Sequence, residues 1–358
     1  MSNNTIKVCA VDDGHFGGKN AVLDHEKKIS NQFSPTLVST ASSGFEEIGD
    51  RFSAKYTTKH YIGSKAIDKE FTVLPEITMG QQKSLVSTNN PNYQTSAPAR
   101  VMVNHMLSKM GCNDTHQILL VASSPVERFY KNGVRNEDYI KDRLENFKVP
   151  VYKDGQRLPE IVHVVEVPEA IAAFYNDLIV YEVRDGTAVC RMNDKLLQQS
   201  CLYIDMGGRT IDTGVIGQGS VVVDDCKTFE DSGMLAIHSS LQKSLKTYRD
   251  NISRQELDEV IKTKKFSPDL RHGSNRQISV DDIVDRAVEG VIEDAIGTIT
   301  QTYNFKDFNR IVFTGGSSAR LEQYIKQYLP EAYVSPSALY DNVNGMLKYG
   351  LTKKKEYV

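Results

Sequence analysis

Two aspartate–glycine turns carry the residue types that chemistry at a phosphate group needs. The first reads Val11-Asp12-Asp13-Gly14-His15-Phe16-Gly17-Gly18-Lys19, and the second Ile204-Asp205-Met206-Gly207-Gly208-Arg209-Thr210-Ile211-Asp212. Each follows a short apolar stretch, Ile6 to Val11 and Leu202 to Ile204, and each bends back into further extended chain. A carboxylate at the end of a buried strand, beside backbone that a ligand can approach closely, suits hydrated Mg²⁺ and phosphate. Asp12 and Asp205 are therefore the candidate metal residues, acting through water. Gly14, Gly207 and Gly208 would turn backbone N–H groups toward phosphate oxygens, and Lys19 would neutralise phosphate charge. Asp13, His15, Phe16, Arg209 and Thr210 complete the two turns, and Asp212 would orient a water or brace its hairpin. Either turn alone also fits an ordinary hairpin with a turn aspartate and a surface lysine. The pair, as two jaws on one nucleotide, carries the reading.

These turns need buried strands behind them and helices to cover the strands. Residues 6–12 read as a strand, and Ala21 to Val38 as extended chain around the polar turn Asp24-His25-Glu26. Residues 39–95, rich in Ser, Thr, Asn and Gly, read as a small irregular subdomain without a long helix. A helix follows, with Pro98 near its start and Gly111 at its end. Gln117 to Ala122 reads as a buried strand, Tyr139 to Phe147 as a helix, and Val162 to Val167 as a strand. Pro168-Glu169-Ala170 then opens an Ala-rich helix through Tyr175. After residue 201 the pattern restarts: strand, turn, strand, Gly217-Gln218-Gly219, and a third strand over Ser220 to Val223. That recurrence suggests an internal duplication. A long helix is expected from Val280 to Tyr303, with Ser279 and Asp282 as a capping box and Ile283, Ala287, Val291, Ala295 and Ile299 as its buried stripe. Strand Arg310 to Phe313, the turn Thr314-Gly315-Gly316-Ser317-Ser318, a helix over Ala319 to Leu329 and a last helix over Pro336 to Tyr349 close the chain. Alternating strands and helices on this scale mean layered α/β architecture.

Composition excludes several classes. The 358 residues are 40% hydrophobic and 25% charged, as in soluble globular proteins. A net charge of −3 provides no global field for nucleic acid or an acidic membrane. The five cysteines have no C-x-x-C spacing, which argues against a zinc site or disulfide framework and for a reduced, cytoplasmic chain. No apolar run reaches the ~20 residues of a membrane span, and the N-terminus does not resemble a signal peptide.

Five segments in order give the chain a family resemblance. Asp12-Asp13-Gly14 through Lys19, Pro168-Glu169-Ala170 with Ala172-Ala173, Asp205-x-Gly207-Gly208-x-Thr210-x-Asp212, Thr314-Gly315-Gly316-Ser317 and Tyr340-Asp341-Asn342-Val343-Asn344-Gly345-Met346 resemble the motifs of the actin/Hsp70/sugar-kinase superfamily. Within it the chain is most similar to bacterial plasmid-segregation actins of the ParM/StbA type. The resemblance implies two related α/β domains flanking a nucleotide cleft: domain I over 1–175 with a subdomain over 35–95, domain II over 176–344 with a subdomain over 228–280, and a segment 345–358 returning to domain I. It implies Mg²⁺ with ATP, or GTP, and Glu169 and Asp205 as catalytic residues, although a helix-start glutamate fits the local sequence of Glu169 equally. Gly315, Gly316 and Ser317 would receive the nucleoside, and Asp231 would complete its side of the cleft. His15, Phe16 and Arg209 depart from the family pattern. The implied activity is nucleotide hydrolysis coupled to filament assembly, engaging plasmid DNA through a DNA-binding adaptor rather than directly, with no membrane. A monomeric metabolic kinase and a non-segregation cytoskeletal scaffold are the alternatives.

Overall fold

The computed structural model describes residues 6–40, 54–63, 65–75, 85–88, 90, 92–230, 232–269 and 276–357. Two lobes each hold a five-strand path of the same topology. In the first lobe the order is Glu160–Pro168, Gln117–Ser124, Ile6–Asp12, Gly17–Leu23, Ile29–Pro35. In the second it is Ser220–Val221, Ile211–Gly217, Ser200–Met206, Arg310–Thr314, Tyr333–Val334, with Lys227–Phe229 also pairing to Ile211–Gly217. Each central strand pairs antiparallel with the strand that follows it and parallel with a later strand, as the expected duplication requires. The third strand of the second hairpin is shorter than expected. It ends at Val221, and Val223–Asp225 forms a 3₁₀ turn.

Strand alternation decides how the first sheet is covered. Cys9, Val11, Ile118, Leu120 and Ala122 face Val101, Met102 and Met106 of helix Ala97–Lys109. Val8, Ala10, Leu119 and Val121 face Val343, Met346 and Leu347 of helix Asp341–Lys353. That last helix crosses helix Ile171–Leu178 at Gly345, where an added Cβ would lie 1.8 Å from the Ala172 carbonyl oxygen. Backbone therefore touches backbone at the junction of the lobes. In the second lobe, Leu202, Ile204, Val312 and Phe313 share a core with helices Met234–Leu245, Asp281–Thr302 and Gly316–Tyr328.

Several expectations change. The segment read as irregular holds two nine-residue antiparallel strands, Ala54–Ile62 and Lys65–Val73. They recruit Val151–Lys153 and Gln156–Arg157 from beyond the expected subdomain. Tyr56 and Phe71 pair across the hairpin and supply its buried face, so few apolar residues suffice. Pro168 is the last residue of a strand, and the helix after it starts at Ile171. The capping box at the long helix does not form: Ser279 Oγ donates to Asp281, and Val280 occupies the cap. The buried stripe of that helix is centred on Val284, Val288, Ile292 and Ile296, and Ile283 and Val291 lie at its margin. Among the described residues, no helix is long and apolar enough to cross a membrane.

Candidate active site

The two hairpins face each other across a cleft that holds about 710 Å³ of empty space, part of it open to solvent. Asp12, Gly14, His15, Phe16, Lys19 and Glu169 line one wall; Asp205, Gly207, Gly208, Arg209, Thr210, Gly316 and Ser317 line the other. The hairpins are built alike. Asp12 is the cross-strand partner of Lys19, and Asp205 of Asp212. Both aspartates are buried, at 3% and 5% exposure, so each must be held by a donor or by a cation. Lys19 Nζ donates to Asp12 Oδ2 at 2.8 Å, and Asn342 Nδ2 donates to Asp205 Oδ2 at 2.5 Å.

Three carboxyl groups, Asp12, Asp205 and Glu169, crowd around Lys19 in the pocket. Burial, with Asp212, Asp12 and Asp205 adding, lifts the Glu169 carboxyl well above the ordinary carboxylate range against the pull of Lys19. Asp205 is pushed up to about 7, by burial first and then by Asp12 and Asp212, while Lys19 and Asn342 act the other way. Burial also opposes the charge on Lys19, but Asp12, Asp205 and Glu169 outweigh it and raise the ammonium pKa. This surplus of hard oxygen donors fits a hydrated divalent cation. Among the described residues no three carboxyl, imidazole or thiol groups converge closely enough to chelate an ion directly. Asp12 and Asp205 accordingly suit contact through water.

Glu169 is held by its backbone. Its N–H donates to Ser124 O at 2.8 Å, and its carbonyl accepts from Ile171 N at 2.7 Å. The second bond closes a three-residue turn around Ala170, whose φ is 61° and ψ −43°. An alanine in that conformation is strained, and such strain collects where a neighbouring side chain must be aimed. The turn directs Glu169 from the end of a sheet strand into the cleft.

Some candidates have other partners. Asp13 is excluded from the cleft: its carboxylate, 1% exposed, forks with Arg143 at 2.9 and 3.2 Å. Thr210 Oγ1 donates to Asp212 Oδ2 at 2.8 Å, so its hydroxyl hydrogen points to the protein. Asp212 also accepts from Thr228 Oγ1 at 2.5 Å and from Val126 N of the other lobe at 2.8 Å, which makes it a brace. Its pKa nevertheless rises to about 6 because burial outweighs those donors. The Gly207 N–H closes its own turn onto Thr210 O at 2.9 Å, so this glycine supplies tightness rather than a free donor. Ser317 Oγ donates to Gly207 O at 2.7 Å and ties two loops together. His15 Nδ1 is 2.5 Å from Thr88 O, and burial lowers its pKa, so the ring is neutral at pH 7 and gives phosphate no charge. Phe16 reaches the second lobe, with its ring 5.6 Å from that of His238 and 6.0 Å from the Arg320 guanidinium. Gly315 has φ 88°, and a Cβ there would stand 2.1 Å from Asp205 Oδ1. Asp231 lies outside the described residues.

Sequence comparison decides the family. Residues 7–179 match the family described as plasmid segregation protein ParM, N-terminal, and residues 196–349 match plasmid segregation protein ParM, C-terminal. The chain belongs to the ParM plasmid-segregation family. Comparison of the sequence with curated proteins gives no match. The structure is similar to that of a Clostridium botulinum ParM from a 15-stranded filament, with 18% identity, 97% and 99% of the two chains covered and a TM-score of 0.70. An archaeal actin homologue matches at 13% identity, 97% and 100% coverage and a TM-score of 0.70. Bacillus thuringiensis ParM, solved with ATP, matches at 13% identity, 98% and 99% coverage and a TM-score of 0.68. The fold of this ParM-family chain is thus actin-like.

Sequence reasoning missed several lining residues. Arg320 sits one helical turn past Gly316, a spacing that returns a long side chain to the same rim. Asn342, noted only as part of a motif, orients Asp205 across the lobe junction. Phe33, Pro125, Met234 and Leu339 give the cleft its apolar surface, and no local pattern marks them.

Proposed function

We propose that this chain is an ATP-hydrolysing, filament-forming actin homologue of the cytoplasm that drives plasmid DNA segregation through a DNA-binding adaptor. The observation that carries the reading is the meeting of Asp12, Asp205 and Glu169 in one buried cleft between two like lobes. Asp12 and Asp205 would hold Mg²⁺ through its waters, and the ion would neutralise charge developing on the transferred phosphoryl group. Lys19 adds a second positive charge on the same side. Glu169 would hold the attacking water and accept its proton. Burial first, and then the neighbouring carboxyls, hold its carboxyl well above the ordinary carboxylate range. A divalent cation brought in with nucleotide would offset that repulsion and favour the ionised form of Glu169 on a loaded site. Gly315, Gly316 and Ser317, with Arg320, would take the nucleoside side, which suits ATP and leaves room for GTP.

A nucleotide bridging two lobes favours their closure and with it a head-to-tail contact that propagates instead of closing on itself. The net charge of −3 supports indirect engagement of DNA through an adaptor. Light scattering with Mg-ATP, followed by electron microscopy, tests assembly; absence of polymer across nucleotides, salts and concentrations refutes it. Glu169→Ala tests the chemistry: phosphate release is expected to fall by ~10²-fold or more while filaments persist longer. Unchanged release removes Glu169 from the catalytic role.

A further inference from the structure

Arg143 lies on helix Glu137–Lys148 of the first lobe, away from the cleft, and its side chain is fully buried. A guanidinium has five N–H donors, and here each has an acceptor. Nε donates to Glu166 Oε1 at 2.8 Å. One terminal nitrogen donates to Asp13 Oδ2 at 3.2 Å and Gln94 O at 3.1 Å. The other donates to Asp13 Oδ1 at 2.9 Å and Ser123 O at 2.8 Å. Phe147 packs beneath the plane, with its ring centre 4.9 Å away.

Three of these acceptors stand at the C-terminal ends of three adjacent parallel strands. Asp13 follows Ile6–Asp12, Ser123 is the next-to-last residue of Gln117–Ser124, and Glu166 lies two residues before the end of Glu160–Pro168. Neighbours on the two outer strands of the three line the cleft: Asp12 immediately precedes Asp13, and Glu169 lies three residues beyond Glu166. Ser124 links the parts: its hydroxyl donates to Glu166, and its carbonyl takes the Glu169 N–H. Two strand spacings, about 10 Å, separate the backbone that carries Asp12 from the backbone that carries Glu169. A γ-phosphate and its attacking water would occupy that gap.

A buried arginine with two carboxylates is a weak source of stability, since an apolar replacement is often as stable. We infer that Arg143 is a positioning residue, whose guanidinium fixes the spacing between Asp12 and Glu169 by tying the ends of the three strands behind them. The inference rests on the proposed roles of Asp12 and Glu169.

The test measures kcat and KM for Mg-ATP hydrolysis, ADP affinity and melting temperature in three proteins: wild type, Arg143→Lys, and the charge-free triple variant Asp13→Asn/Arg143→Met/Glu166→Gln. Misplacement of reacting groups by about 1 Å costs about 10²-fold in rate. The triple variant is expected to lose about that factor in kcat, with KM and ADP affinity within about threefold of wild type. Lysine keeps the charge but not the fork, and about a tenfold loss is expected. A folded triple variant with kcat within twofold of wild type overturns the inference. So does a fall in ADP affinity in step with kcat, which would mean general loosening. Should the triple variant not fold, a folded Arg143→Lys protein with wild-type kcat overturns it equally. A wild-type protein that releases no phosphate refutes the functional reading instead, and that result is separate.

Discussion

Gly345→Ala probes the close crossing of helices Asp341–Lys353 and Ile171–Leu178. A Cβ at residue 345 would stand 1.8 Å from the Ala172 carbonyl oxygen and 2.7 Å from the Asn176 nitrogen, where 3.0 Å is the least a real contact allows. Helices Asp341–Lys353 and Ile171–Leu178 would have to separate by about 1.2 Å. Both obstructing atoms are backbone, so no rotamer change relieves them. Overpacking of this kind costs about 3 kcal/mol. Alanine's better helix propensity returns about 1 kcal/mol, leaving a net loss of about 2 kcal/mol. In a chain of this size that lowers the melting temperature by about 3 °C. Gly290→Ala is the control. It lies in helix Asp281–Thr302 and a Cβ there meets nothing within 4 Å, so only the propensity gain of about 1 kcal/mol acts, raising the melting temperature by about 1 °C. Calorimetry on the ligand-free proteins reads both. If Gly345→Ala melts at or above wild type while Gly290→Ala behaves as stated, the helices do not touch through backbone at residue 345 and the reasoning fails.

Three further outcomes are expected. The folded protein keeps the Asp205 proton up to about pH 7, against an ordinary value of 3.8, so over that range folding binds extra proton and stability from this group falls as pH rises. Asp205→Asn should therefore raise the melting temperature of ligand-free protein at pH 8 and change it little below pH 4; an equal shift at both would refute the assignment. Phe16→Ala removes a ring that touches His238 and Arg320 across the cleft, a contact of about 1 kcal/mol, and small-angle scattering should show a larger radius of gyration without ligand. An unchanged radius would show that the ring does not hold the lobes together. Gly315→Ala places a Cβ 2.1 Å from Asp205 Oδ1 at a backbone φ of 88°, so ATP binding, read by calorimetric titration, should be lost while circular dichroism stays native; retained binding would contradict the geometry.

Both acidic turns were legible because their chemistry is local: a carboxylate and glycines at fixed spacing after an apolar strand. The central strands Ile6–Asp12 and Gln117–Ser124 read equally well, since burial on both faces leaves continuous apolar runs such as Ile118-Leu119-Leu120-Val121, whereas the short edge strands Lys227–Phe229 and Tyr333–Val334 carry too few residues to show a pattern and were not read. The hairpin Ala54–Ile62 with Lys65–Val73 escaped because its solvent face carries Lys55, Lys59, Asp68 and Glu70, and its buried face needs only Tyr56, Thr58, Phe71 and Val73. Four tight turns with positive φ at both residues, Asn132-Gly133, Asp154-Gly155, Asp185-Gly186 and Gln218-Gly219, were open to reading from their dipeptides, yet only the last was used. Asp13 misled because two adjacent aspartates look alike in sequence; Arg143, far along the chain, decides that one faces the core. No local signal could have paired residues so distant.

Helix Asp341–Lys353 has a consequence for the order in which a nascent chain can fold. Its Val343, Met346 and Leu347 are wholly buried against strands Ile6–Asp12 and Gln117–Ser124, made long before it, and each contributes about 1.5–3 kcal/mol to that face. The second lobe, in contrast, draws its sheet from one continuous stretch between Ser200 and Val334. On the ribosome the later-encoded lobe can therefore be finished first, while the earlier one waits with an apolar sheet face uncovered. Asn342 arrives on that same helix and bonds to Asp205, so the cleft acquires this partner only after residues 341–353 have been made. A prematurely released chain would carry both acidic turns, a bare hydrophobic sheet and an unfinished site.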